Sequence, residues 1–140
     1  MEGGKETNEE EKKSIMIVDD EPDILLYLET LLADQGYRVI KARSAEEAWE
    51  KLREDKPDLF CLDIMMPKQS GIALYRNLKL DPLYKDVPTI FISAFSTSKD
   101  FTGKGFRKLV PDREVPEPEV YLEKPLNIPS FLSAVRQNLE

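Results

Sequence analysis

The stretch Ser14-Ile15-Met16-Ile17-Val18-Asp19-Asp20-Glu21-Pro22 decides how the chain is read. Ser14 to Val18 is a short, β-rich apolar run, and it ends abruptly in two acids. Pro22 suits a first helical turn, where its missing N–H costs nothing. Beyond it Ile24, Leu25, Leu28, Leu31 and Leu32 fall on one helical stripe, and Gly36 closes the helix. Strand, acidic turn and helix together make a βα unit.

The same alternation continues outward from this unit. Tyr37 to Ala42 reads as a second strand, and Ser44 with Glu47 three residues later forms a capping box. Ala45, Ala48, Trp49 and Leu52 line the face of the helix that follows. Pro57 punctuates before a third strand, Leu59 to Leu62, which ends in Asp63. A third helix is expected from about Ser70 to Leu80, burying Ile72, Leu74 or Tyr75, and Leu78. Thr89 to Ser93 is the fourth strand and Val120 to Leu122 the fifth, leading to Lys124-Pro125. A last helix, from about Ile128 to Leu139, should bury Phe131, Leu132, Val135 and Leu139. Alternating β and α elements of this kind imply an α/β domain around a parallel sheet. No internal repeat and no sign of a second domain accompany them.

Composition bounds the function. The 140 residues fit one domain, and 41% hydrophobic with 34% charged residues reads as soluble and globular. No apolar run approaches the roughly 18 residues of a membrane span. Residues 1–13 are polar and charged, without the apolar core of a secretory signal, and are expected to be a solvated, disordered tail. Residues 14–140 form the domain. A net charge of -7 argues against sequence-independent nucleic-acid binding, and a cytoplasmic location is the default. Cys61, between Phe60 and Leu62, reads as a packing residue of a buried strand and not as a redox group. The chain has no histidine, which excludes a phosphohistidine, a His-ligated metal and a Ser-His-Asp triad within it.

Strand ends carry the chemistry. Asp19 and Asp20 follow the first strand, Asp63 the third, Ser93 the fourth and Lys124 the fifth. In an open α/β sheet, ligands bind beyond the carboxyl ends of the strands where strand order reverses. With these strands side by side, three carboxylates, a hydroxyl and an ammonium converge. Crowded carboxylates resist full ionisation without a compensating cation. Mg²⁺ suits the position, since it accepts a few carboxylates, keeps waters and coordinates phosphate oxygens. One carboxylate could then attack phosphorus, with Lys124 and the Ser93 hydroxyl neutralising and hydrogen-bonding the phosphoryl oxygens. Taken singly, Asp19-Asp20 read equally well as helix N-terminal acids, Ser93 as a turn residue and Lys124 as a surface lysine. The argument rests on their joint placement.

Ile15-Met16-Ile17-Val18-Asp19-Asp20-Glu21-Pro22, Asp63-Ile64-Met65-Met66-Pro67-Lys68-Gln69-Ser70-Gly71, Ser93-Ala94 and Tyr121-Leu122-Glu123-Lys124-Pro125 resemble the receiver domains of two-component response regulators. The resemblance runs from Ser14 to the C-terminus, apart from the stretch after Ser93. It implies a flavodoxin-like, doubly wound five-stranded sheet in the order 2-1-3-4-5, here as a stand-alone, chemotaxis-type single-domain receiver. It implies that Asp63 accepts a phosphoryl group from a histidine kinase or histidine phosphotransfer protein. It further implies that Asp20, Asp63 and the Met65 carbonyl ligate Mg²⁺, with Asp19 acting through water. Lys124 would pair with the phosphoryl group, and its bond to Pro125 would be cis. Ser93 and Tyr121 would be the switch pair, Ser93 turning toward the phosphoryl oxygens and Tyr121 swinging in behind it. Output would be a protein contact, with no nucleic acid or membrane partner.

Two features depart from the resemblance. Met65 and Phe95, two residues beyond Asp63 and Ser93, are apolar and cannot orient an attacking water, which implies slow autodephosphorylation. The stretch from Phe95 to Glu119 carries Gly103, Gly105, Pro111, Pro116 and Pro118 without a sustained helical period. Each such glycine costs about 1 kcal/mol in a helix interior. The fourth helix is therefore expected to be short, displaced or replaced by an irregular, mobile loop, the alternative being a tolerated surface insertion. Two rival functions stay in view. A Mg²⁺-dependent aspartyl-phosphate phosphatase would want a second acid where Met65 stands. A phosphorylation-independent receiver-like adaptor would not need the acids, hydroxyl and lysine that this chain retains.

Overall fold

The computed structural model describes residues 12–94 and 103–140. Five strands, β1 (Ser14–Val18), β2 (Arg38–Ala42), β3 (Leu59–Asp63), β4 (Thr89–Ala94) and β5 (Val120–Lys124), form one parallel sheet in the order β2-β1-β3-β4-β5. The helices between and after them are α1 (Pro22–Asp34), α2 (Ala45–Leu52), α3 (Ser70–Leu80), α4 (Gly103–Leu109) and α5 (Ile128–Leu139). The flavodoxin-like order expected from sequence is the observed one.

Strand alternation divides the core into two layers. Ile15 and Ile17, with Leu59, Cys61, Ile90 and Ile92, face Leu25, Leu28 and Leu32 of α1 and Phe131, Ala134 and Val135 of α5. Met16, Val18, Phe60, Leu62 and Phe91 face the other way, toward α2, α3 and Phe106 of α4. A sheet covered on both faces explains why its strands read as continuous apolar runs instead of alternating ones. Burial pushes the Cys61 thiol up to about 12, so this cysteine packs and stays protonated. Among the described residues no helix is long and apolar enough to cross a membrane.

Local signals place the helix starts. The Ser44 hydroxyl accepts from the Glu47 amide at 3.1 Å, and Asn127 Oδ1 accepts from the Ser130 amide at 2.9 Å. Small corrections concern ends and faces. β2 starts one residue later than expected, β4 and β5 run on to Ala94 and Lys124, and β3 takes in Asp63 itself. Leu74 and Tyr75 are both buried, because α3 packs under the sheet and also beside α4. On α5 it is Ala134 that is buried, while Leu132 and Leu139 are partly covered at the edge of the layer.

The fourth helix is short, as one of the alternatives had it. Its glycines weaken it, but Phe106 is fully buried, and Val110 and Val115 behind it are too. Arg107 donates to the Val110 and Asp112 carbonyls, and Arg76 of α3 makes a two-point ion pair with Asp112 at 2.7 and 3.0 Å. These contacts tie Val110 and Asp112 to α4 and α3. Phe95 lies outside the described residues. So does the expected N-terminal tail, except Lys12 and Lys13; the Lys13 carbonyl accepts the amide of Arg38, the first residue of β2, at 2.9 Å.

Candidate functional site

Strand order reverses at β1, which has β2 on one side and β3 on the other. Parallel register pairs Val18 with Leu62, so Asp19 and Asp63 leave neighbouring strands side by side. Asp63 pairs with Ile92, which brings Ser93, buried, to the next strand end. On the far side Ala94 pairs with Lys124, the last residue of β5, and the Lys124–Pro125 bond is cis. The sheet alone thus brings the predicted residues to one rim.

Side chains close the arrangement. Asp19, Asp20 and Asp63 each offer a carboxylate oxygen, and these oxygens all lie within 4.8 Å of one another. Lys124 Nζ donates to Asp19 Oδ2 at 3.2 Å and to Glu21 Oε1 at 3.3 Å, and stands 3.7 Å from Asp63 Oδ2. Asp19 Oδ1 accepts the Glu21 amide at 2.9 Å, and Asp63 Oδ1 accepts the Met65 amide at 2.9 Å. The Met65 side chain is 44% exposed at the mouth of the site.

One ammonium among four acids leaves negative charge in excess. Asp19 is 1% exposed, and burial with the nearby Asp63 charge raises its carboxyl to about 6, against the pull of the Glu21 amide and Lys124. Asp63 is raised for the same first reason, burial, with Asp20 and Glu21 adding to it. Burial alone would pull the Lys124 ammonium down, but Asp19 and Asp63 more than offset this and raise it. A hard divalent cation answers this donor set of carboxylate oxygens, and Asp19, Asp20 and Asp63 fit one.

Tyr121 stands apart from the acids. It is half-buried, with its ring edge-on to Phe91 at 5.5 Å, and its hydroxyl donates to Glu117 Oε1 at 3.3 Å. Two participants escaped the sequence reading as participants. Glu21 shares Lys124, a role for which its position next to the acidic pair is the sole sequence signal. Gly71 packs so closely beneath the site that a β-carbon there would fall 2.2 Å from the Asp63 carbonyl oxygen. A glycine at the first turn of a helix is the signal that could have revealed it.

Residues 15–107 match the family model described as a response regulator receiver domain. The chain is 32% identical over 127 residues to the polar-differentiation response regulator DivK of Brucella ovis, covering 91% of this chain and 96% of that relative. The corresponding protein of Brucella anthropi is 31% identical over the same length. Among solved structures, the signal receiver domain of a histidine kinase from Syntrophus aciditrophicus superposes with a TM-score of 0.73 at 28% identity, over 91% of this chain and 89% of that one. The chemotaxis response regulator CheY4 of Vibrio cholerae shares the fold, with a TM-score of 0.75 at 23% identity over 91% and 99% of the two chains.

Proposed function

Because the chain belongs to the response regulator receiver domain family, we propose that it is a phosphorylation switch whose phosphoacceptor is Asp63. The observation that carries this is the meeting of Asp19, Asp20 and Asp63 within 4.8 Å, with Lys124 reaching in from β5.

Each residue then has a task. An Asp63 carboxylate oxygen forms the bond to phosphorus while the bond from phosphorus to the donor's imidazole nitrogen breaks, and the imidazole leaves with its electron pair. Lys124 exchanges Asp19 for the phosphoryl oxygens, and the Ser93 hydroxyl donates to them from the neighbouring strand end. Asp20, Asp63 and the Met65 carbonyl would hold Mg²⁺, with Asp19 acting through water, and the cation would offset the repulsion between the acids and the incoming phosphoryl group. Tyr121 turns inward behind Ser93 once the phosphoryl group is in place. The chain has no histidine, so the donor is another molecule, a histidine kinase or phosphotransfer protein. Leu26 and Tyr27 are exposed on α1, the helix that follows the acidic pair, and offer a partner apolar ground. The setting is cytoplasmic, and output passes to a protein partner.

Incubation with Mg²⁺ and acetyl phosphate, followed by intact mass measurement, tests the reading. One added phosphoryl group is expected, absent from Asp63→Asn. A wild-type protein that takes none from acetyl phosphate or from a cognate donor would instead act as a phosphorylation-independent adaptor.

A further inference from the structure

Glu117 accepts two hydrogen bonds on a single oxygen. The Tyr121 hydroxyl donates to Oε1 at 3.3 Å, and the Gly103 amide, at the start of α4, donates to the same Oε1 at 3.1 Å. We propose that Glu117 is a latch that holds Tyr121 outward and pins the first turn of α4, so that the inward turn of Tyr121 frees that turn for a partner. This deepens the switch reading above and rests on it for the trigger, though not for the latch itself.

The backbone carrying Glu117 is fixed. The buried Tyr75 hydroxyl donates to the Pro116 carbonyl at 2.6 Å, and Pro118 is buried. The Glu119 amide donates to the Thr89 carbonyl at 3.1 Å, while Glu119 Oε1 accepts the Thr89 amide at 2.8 Å. Only the Glu117 side chain, exposed, is left to respond.

The two ends of α4 are held differently. Its C-terminal end is anchored by buried Phe106, by Arg107 on the Val110 and Asp112 carbonyls, and through Asp112 by Arg76. None of these is a switch residue. The N-terminal end has Gly103 and Gly105, which favour a helix weakly, and its described tie outside the helix is the bond to Glu117. Removing the Tyr121 hydroxyl takes one of two donors from that carboxylate. The remaining bond is exposed and competes with water, so the two contacts support each other. Coupling of this kind is reciprocal: a partner that grips the freed first turn favours inward Tyr121 and hence the phosphorylated state.

The test uses the full chain and amide hydrogen exchange, first without any phosphodonor. Glu117→Ala should speed exchange at Gly103 and the next amides about tenfold, which corresponds to ~1.4 kcal/mol. Tyr121→Phe should speed it by a smaller factor, and should add nothing in the Glu117→Ala background. Glu117→Gln, which keeps an acceptor oxygen, should restore most of the protection. An unchanged rate in Tyr121→Phe, or an effect equally large without Glu117, overturns the latch. Acetyl phosphate with Mg²⁺ should then bring the wild-type amides to the Glu117→Ala rate. An Asp63 adduct that leaves them protected also overturns the latch, whereas a missing adduct strikes the phosphoacceptor reading and leaves the first comparison standing.

Discussion

A β-carbon on Gly71 would stand 2.2 Å from the Asp63 carbonyl oxygen and 2.8 Å from the Ile64 Cα. Both obstacles are backbone, so neither can swing away. Gly71→Ala should therefore push α3 off the end of β3, costing about 1–3 kcal/mol of stability, the range for overpacking a tight site. Urea unfolding reads the cost, and phosphorylation from acetyl phosphate should fall with it. A variant as stable and as reactive as wild type would contradict the geometry.

Lys124 is the ammonium that the three acids Asp19, Glu21 and Asp63 share. Lys124→Met removes a cation that repels Mg²⁺ and a partner that the phosphoryl oxygens need. Metal affinity should rise by about three- to tenfold, while phosphorylation drops by at least about tenfold. Calorimetric titration and intact mass measure the two separately. Parallel losses of both would mean that Lys124 merely supports the fold.

Asp19 makes the metal-free protein sensitive to pH. Its carboxyl is raised from 3.8 to about 6, so between those values the native state holds more protons than the unfolded chain. Stability from this group is present below the lower value and is lost as pH rises through about 6. Roughly 1–3 kcal/mol is at stake. In EDTA, wild type should thus gain less stability than Asp19→Asn on going from pH 5 to 7.5, and Asp19→Asn should be the more stable at pH 7.5. Urea melts of the pair check this, and equal pH profiles would refute it. Mg²⁺ competes with the same proton, so its stabilising effect should be larger at pH 7.5 than at pH 5.

Met65 sits exposed two residues beyond Asp63 and has no group with which to orient water. The phosphorylated protein should therefore last for minutes or longer after the donor is removed. Met65→Asn, which supplies a polar group at the mouth, should speed the loss by roughly tenfold. Decay followed by intact mass decides, and a wild-type half-life of seconds would sink the idea.

The strands and their acidic ends were legible because they depend on local pattern, whereas the order of the strands came only with the resemblance to receiver domains. The run into Asp19-Asp20, the run into Asp63 and the dipeptide Lys124-Pro125 each announce a strand end, and a parallel sheet places strand ends together. α4 was less legible. Its stability comes from Phe106 filling a gap against Tyr75, whose ring lies 6.1 Å away, and not from helical preference in Gly-Lys-Gly-Phe. Glu117 was invisible for the same reason. Nothing about an acid between two prolines says that the chain will fold back to give it Tyr121 and Gly103 as donors. Lys79 also went unread: it is buried, donating to the Lys85 and Val87 carbonyls at 3.1 and 2.7 Å, where the α3 stripe suggested only apolar neighbours.

Cys61 is the chain's one thiol, and it lies inside β3 with its proton held up to about 12. Maleimides and other thiolate-seeking reagents will pass it by in the native protein. A cysteine introduced on the exposed Lys104 of α4 can then take a fluorophore or spin label as a single site, without removing the native residue. The molecule is thus ready for optical and resonance recording of its own α4, in a background that needs no re-engineering.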